Sequence, residues 1–287
     1  MLYYYVHTGH KIGLDRMKRA AALLKELKNQ GMEGKLLVND FRAGLFAKEF
    51  GINDAVTIET IQDIDILAQI GDSLIIDSPE DDKGRLQKYC ADYKAVFRFE
   101  LNAEDKQRYT ETMLRLCCED ASCLSSVIID DIYFEPLQKI DRTLFFFGDA
   151  DYDKIILSYR DFFKENPMEL LMGHYFFVKY EEELAKIFFK VHEAEEYANM
   201  MRTSSRVVTA SFQTALEAKA AGAEVIYLDL NKTGSYISDY LSLNNISIID
   251  NLDKKIYEKC ERADTKIHHL PKNTPTIARN IINKIIF

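Results

Sequence analysis

At 287 residues the chain suits one large domain or two of about 140. Its 47% hydrophobic and 29% charged content excludes a disordered or low-complexity protein. A net charge of −9 excludes the extended basic surface that nucleic-acid binding needs, but not one small anionic ligand held by a few N–H groups and arginines. No basic n-region precedes the short apolar start, and no apolar run approaches a membrane span. Neither a signal peptide nor an integral membrane segment is therefore expected, and the expected location is cytoplasmic. The five cysteines, Cys90, Cys117, Cys118, Cys123 and Cys260, form no CxxC pair, so they read as reduced thiols.

Tyr3 to Val6 read as a buried strand, and from Leu14 apolar residues recur at helical spacing through Met17, Ala21, Leu24 and Leu27. The loop between them holds Gly9, Gly13, His7 and His10. Strand, glycine loop and helix are how an α/β domain presents a helix N-terminus to an anion. "KLLVND", a helix near "AGLFAKEFG", "AVTIE", the helix "QDIDILAQIG" and a strand ending at Asp77 follow, then the helix "DDKGRLQKYCADY" and the strand "KAVFRFE". This βαβ rhythm predicts a parallel sheet covered by helices. Residues 103–126 read as mainly helical, and "SVIIDDIYFEPL" as a last strand and connector broken at Pro136.

A second rhythm starts at the strand Thr143–Phe147 and its loop Gly148-Asp149-Ala150-Asp151. "MELLMGHYFF", a charged helical stretch over 179–202, "SRVVTASFQTALEAKAAG", "EVIYLDL", a helix over 234–244 and "ISIID" complete it. The expected domains are 1–139, for substrate or acceptor, and 140–287, for a nucleotide. The expected architecture is α/β with two Rossmann-like domains facing each other across a cleft.

The most informative stretch follows the strand Arg206–Thr209. Thr209, Ser211, Gln213 and Thr214 lie where a helix N-terminus offers free N–H groups, and Glu217 lies one turn inside. Such residues can cradle a diphosphate and accept from ribose hydroxyls. They also suit an ordinary Ser/Thr cap with a surface glutamate.

A small-polar strand end, a helix with an early glutamate, a glycine and a hydrophobic strand resemble the nucleotide-binding half of GT-B glycosyltransferases. More narrowly, the chain resembles the UDP-sugar hydrolases of bacterial pseudaminic acid synthesis and the related spore-coat polysaccharide proteins. Ile12-Gly13-Leu14-Asp15-Arg16-Met17-Lys18-Arg19 occupies the place of that family's I-G-x-G-H-x-x-R loop. Gly148 and Asp149 stand at its second glycine loop, and "VVTASFQTALEAKAAG" aligns with its S-A/G-G/S-x-x-x-x-E segment. The resemblance implies a UDP- or CMP-sugar as substrate, no required cofactor or metal, and Glu217 at the ribose.

Arg16 replaces the family's water-activating histidine, with Asp15 in place of the preceding glycine. Arginine stays protonated and cannot serve as a base. His10 or Asp15 can take that role, or Arg16 and Arg19 can stabilise a departing nucleotide in a transferase. The same residues also read as loop, first-turn acid and solvated helix face. Gly9, Gly13 and Asp77 are expected to shape the substrate loop. Gly173 and His174 are expected near the base, or as a simple turn. His268-His269 read as surface residues. The opening loop does not fit GxGxxG, which argues against a dinucleotide oxidoreductase.

These readings lead to a nucleotide-sugar-dependent transferase of bacterial surface-glycan or flagellin glycosylation, with a glycan or protein acceptor. A hydrolase and a non-catalytic nucleotide-sugar binder remain as alternatives, and no oligomeric state follows from the sequence.

Overall fold

The computed structural model describes residues 1–118, 122–230, 232, 234–261 and 270–287. His268 and His269 lie outside the described residues, as does the side chain of Cys260. The chain divides into two compact units. The first comprises Met1–Gly9, Arg16–Asp130 and Lys272–Phe287; the second comprises His10–Asp15 and Asp131–Pro271.

The first unit is built on a seven-stranded, wholly parallel sheet. Its strands are β1 (Leu2–Val6), β2 (Gly34–Val38), β3 (Ala55–Thr57), β4 (Ser73–Asp77), β5 (Ala95–Phe99), β6 (Thr112–Arg115) and β7 (Cys123–Ser125), in the order β3-β2-β1-β4-β5-β6-β7. β1 is central, with Tyr5 opposite Leu37 and Ile76. Tyr5, Leu37, Leu74, Ile76 and Val96 share one apolar layer with Ile61, Ile64, Leu86 and Tyr89. Because helices cover both faces, the strands are near-continuous apolar runs rather than alternating ones. The helix Asp15–Asn29 buries Met17, Ala21, Leu24 and Leu27, the stripe that its spacing predicts.

Residues 103–126 are not mainly helical; they carry β6 and β7, which extend the sheet in parallel. The cause is tertiary. Buried Arg98 on β5 holds Asp105 at 2.6 Å and Glu111 at 3.4 Å, and these ties bring the following residues alongside β5. A disulfide joins Cys118 to Cys123 at the start of β7, with Cα atoms 5.8 Å apart. The expectation that all the cysteines are reduced is corrected here for this pair, whereas Cys90 is a free thiol. Val127–Ile129 is buried but forms no strand, and a short 3-10 turn spans Asp131–Phe134.

The second unit has a six-stranded parallel sheet of β8 (Ile140–Phe146), β9 (Glu169–Leu171), β10 (Val191–His192), β11 (Ser204–Thr209), β12 (Glu224–Leu228) and β13 (Ser247–Ile249), in the order β10-β9-β8-β11-β12-β13. Phe145, Ile156, Phe163, Leu170, Tyr180 and Phe188 pack with Val208 and Ile226 in its core. The stretch 179–202 is not one helix. It is interrupted by β10, where buried His192 lies 2.5 Å from Glu169 on β9, and two short helices flank the break. Among the described residues no helix is long and apolar enough to cross a membrane.

The C-terminal helix, Thr274–Ile286, belongs to the first unit rather than to the expected domain 140–287. Thr274 anchors it. Its hydroxyl accepts the Ile129 N–H at 3.0 Å and donates to the Ile129 carbonyl at 2.8 Å, with Thr274 only 2% exposed. Thr274→Val keeps the shape but orphans both peptide groups. It is expected to cost about 1–3 kcal/mol in urea unfolding.

Candidate functional site

In each sheet the strand order reverses beside the first strand, between β1 and β4 in one unit and between β8 and β11 in the other. Ligands of open α/β sheets bind outside the carboxyl ends of the strands at such a reversal. In the second unit this place holds a cavity of about 410 Å³. It is lined by the segment after β8 (Phe147–Asp153), by Ala210 and Ser211 after β11, by Asp229 and Leu230 after β12, and by Lys11, Ile12, Gly13 and Asp15.

Gly148, Asp149, Gly173 and His174, all expected near a nucleotide, come together here. His174 Nδ1 lies 2.8 Å from Asp149 Oδ1, both side chains are almost fully buried, and the Tyr175 N–H donates to the Asp149 carbonyl at 2.9 Å. A Cβ on Gly173 would lie 2.5 Å from the Gly148 carbonyl oxygen and 2.7 Å from Asp149 Cα, so only glycine lets the two loops approach this closely. Of the four residues, Gly148 and Asp149 line the cavity and the Gly173-His174 pair backs them. Asp151 caps the next helical turn, accepting the N–H groups of Ile155 (2.8 Å) and Ile156 (3.0 Å) and the Tyr180 hydroxyl.

The helix after β11 runs from Phe212 to Ala220 with Ser211 as its N-cap. Ser211 Oγ accepts the Thr214 N–H at 3.0 Å, and Thr209 Oγ1 accepts the Ser211 N–H at 3.0 Å. Glu217 is not a surface residue. At 2% exposure its carboxylate accepts from the Tyr197 hydroxyl at 2.6 Å and from Gln213 Nε2 at 2.8 Å, while Thr214 Oγ1 lies 2.8 Å from the same hydroxyl. Burial, and then the Glu217 charge, pushes the Tyr197 phenol well above its ordinary range, so it stays a neutral donor. Thr209, Ser211, Gln213, Thr214 and Glu217 thus form one buried network that stiffens the first turn. Ser211 is the member that reaches the cavity.

The helix terminus already faces an anion of the chain itself. Asp15 accepts from Ser211 Oγ at 2.7 Å and lies 3.4 Å from the Gln213 N–H. With Asp149, Asp151, Asp153 and Asp229 it makes five aspartates around the cavity, against one lysine, Lys11, among the described residues. Lys11 Nζ stands 4.6 Å from the ring centroid of Tyr152, an exposed aromatic on the wall. His10 packs against that ring at 5.4 Å. Gly13, at φ +83°, turns the segment that carries Asp15.

Arg16, Arg19 and Asp77 form a separate group in the first unit. Arg19 grips Asp77 with Nε and Nη2, each at 2.5 Å, and Arg16 Nε lies 3.3 Å away. Asp77 is 1% exposed, and the Arg19 guanidinium lies over Phe99 at 4.4 Å. These arginines are therefore bound to a buried carboxylate rather than lying on a solvated helix face.

The sequence reading missed Lys11, Asp151, Tyr152, Asp153 and Asp229 as cavity residues. Their signal was position, since each follows the carboxyl end of a strand or lies in the opening loop.

No protein-family model and no curated protein matches the sequence. Solved structures share the fold. A UDP-GlcNAc 2-epimerase from Methanocaldococcus jannaschii in complex with UDP-GlcNAc and UDP superposes with a TM-score of 0.61 at 10% identity, over 99% of this chain and 100% of that one. The Neisseria meningitidis UDP-GlcNAc 2-epimerase bound to UDP-GlcNAc gives 0.55 at 11% identity, again over 99% and 100%. A glycosyltransferase from Rickettsia africae gives 0.50 at 12% identity, over 99% and 93%. The chain therefore has the α/β fold of the GT-B-like epimerases and glycosyltransferases.

Gly173→Ala is expected to force the two loops apart, at a cost of about 1–3 kcal/mol in thermal or urea unfolding. A variant as stable as the parent would show that the loops can separate freely.

Proposed function

We propose that the chain binds a nucleotide-activated sugar, with UDP or CMP as carrier, and transfers the sugar to a glycan or protein acceptor. The observation that carries this reading is the cavity at the β8/β11 reversal, faced by a Ser-capped helix start and walled by carboxylates. Its volume suits a small ligand. The helix start suits a phosphate, and Asp229 suits ribose or sugar hydroxyls as an acceptor. The shared fold with proteins solved with UDP-GlcNAc supports the same choice of ligand.

In this reading Gly13, Gly148, Asp149 and Ser211 contact the ligand, while Thr209, Gln213, Thr214, Glu217, Gly173 and His174 hold them in place. Transfer is favoured over hydrolysis because Arg16 stands where the hydrolases carry their base. The setting that the sequence resemblance implies is bacterial surface-glycan or flagellin glycosylation in the cytoplasm.

A second reading, a binder without turnover, is favoured by two contacts. Asp15 stands at the helix start, and Arg16 and Arg19 are engaged by Asp77.

Calorimetric titration with UDP, CMP and GDP tests the binding, and UDP release from UDP-GlcNAc separates the two readings. Binding with release supports transfer, binding without release supports the second reading, and no binding of any nucleotide overturns both. Asp15→Asn removes one negative charge from the helix start. It is expected to tighten UDP binding roughly three- to tenfold while lowering the melting temperature. Weaker binding would instead make Asp15 part of the ligand's own site.

A further inference from the structure

The first unit frames another cavity, of about 500 Å³, at the far end of its sheet from the strand reversal. One wall is the strand β7 with the Cys118–Cys123 bridge, and the other is the helix Thr274–Ile286. β7 ends the sheet and pairs within it only with β6. Both bridge cysteines are half-buried and line the cavity. A disulfide inside a core is closed to thiols in solution, whereas one that lines an open cavity can be attacked by a thiolate.

The opposite wall indicates which thiol fits. Asn273, Thr276, Ile277, Asn280, Asn283 and Lys284 recur at three- and four-residue steps, hence on one face of the helix. That face is held in place. Ile277, Ala278 and Ile281 are buried, and Gln30 Nε2 donates to the Pro275 carbonyl at 2.9 Å. A side-chain amide donates and accepts, as a peptide group demands of its neighbour, and Lys284 supplies a cation for a carboxylate. Among the described residues no Asp or Glu lines this cavity, although the chain carries a net charge of −9. The volume is that of a small-molecule site. The molecule that matches this wall and the bridge carries peptide groups, a carboxylate and a thiol.

We propose that the Cys118–Cys123 bridge is a thiol–disulfide exchange site for a small peptide thiol, seated along the helix with its carboxylate at Lys284. The inference does not rest on the nucleotide reading, since every described lining residue belongs to the first unit. In the first step the peptide thiolate attacks one sulfur of the bridge. A new S–S bond forms, the Cys118–Cys123 bond breaks, and its electron pair leaves on the other cysteine, which takes up a proton. A second peptide thiolate then attacks the peptide sulfur of the mixed disulfide, and the remaining cysteine leaves with that bond's pair and is protonated. The protein gains two electrons and two protons, and the two peptide thiols depart joined as a disulfide.

Glutathione is the probe, and the full chain carries Cys117→Ser so that this exposed residue takes no part in exchange. First, protein equilibrated with glutathione disulfide is mapped as non-reduced peptides by mass spectrometry. Cys118 is expected to be linked to Cys123, and a different pairing of either overturns the proposal. Second, opening of the bridge is timed with reduced glutathione and with 2-mercaptoethanol at equal thiolate concentration. Lys284→Ala is expected to slow opening by glutathione about two- to fivefold and to leave opening by mercaptoethanol unchanged. Lys284→Arg, which keeps the charge, is expected to retain the glutathione rate.

Equal slowing with the two thiols, equal loss in the two variants, or no slowing at all overturns the proposal, because a merely accessible bridge does not distinguish one thiol from the other. A bridge that opens only in denaturant overturns it as well. None of these outcomes bears on nucleotide binding, which the calorimetric titration judges by itself.

Discussion

Parallel pairing is the constraint from which the rest of the molecule follows. A parallel strand pair cannot be joined by a tight turn, so each connection crosses a sheet face, and it does so with one hand. Both units begin in the middle of their sheet, at β1 and at β8, and build outward first on one side and then on the other. Where building changes side, the loops leaving neighbouring strands diverge. In the first unit those loops carry His7 and Ser78 through Glu80. In the second they carry Gly148 through Asp153 and Ser211. The chemistry-bearing residues stand there because the winding leaves those positions uncovered.

Each crevice is stabilised by charges that offset one another. Asp77 is almost wholly buried and is tolerable there because Arg19 and Arg16 meet it; removing one partner of such a pair leaves an uncompensated charge, at a cost of about 3–5 kcal/mol. In the second unit the helix start is satisfied by Ser211 and by Asp15, so that turn is complete before any ligand arrives. In the proposed function, a phosphate would enter a preformed place that already has an occupant, and the exchange of one anion for another would set the affinity.

Much of the architecture was legible in the residue order, because strands buried on both faces read as short apolar runs. "LYYYV", "SLIID" and "EVIYL" all became strands, and the helix from Asp15 buried its predicted stripe. What escaped were edges. β6 and β7 are short and half-polar, and they pair through ties that Arg98 makes to residues 7 and 13 positions away. Local periodicity carries no trace of such a tie. The grouping of Gly148, Asp149, Gly173 and His174 was readable from their places at strand ends. Glu217 was harder, since the helix Phe212–Ala220 is buried from Gln213 to Ala220 and its small residues leave no apolar stripe to show which side faces in. His7 was read only as a loop residue because Glu80, 3.2 Å from its Nδ1, lies beyond another crossover.

The helix Thr274–Ile286 returns to the unit that holds β1, so the first sheet lacks one of its covering helices until residues beyond the second unit have been made. During synthesis the second unit has its whole sequence available earlier than the first, the reverse of the usual order in which domains mature from the amino end. On the ribosome, the surface that awaits Thr274 and its neighbours stays uncovered until the whole of the second unit has been made. A nascent-chain binding factor would therefore find its longer-lived apolar target in the unit that holds β1.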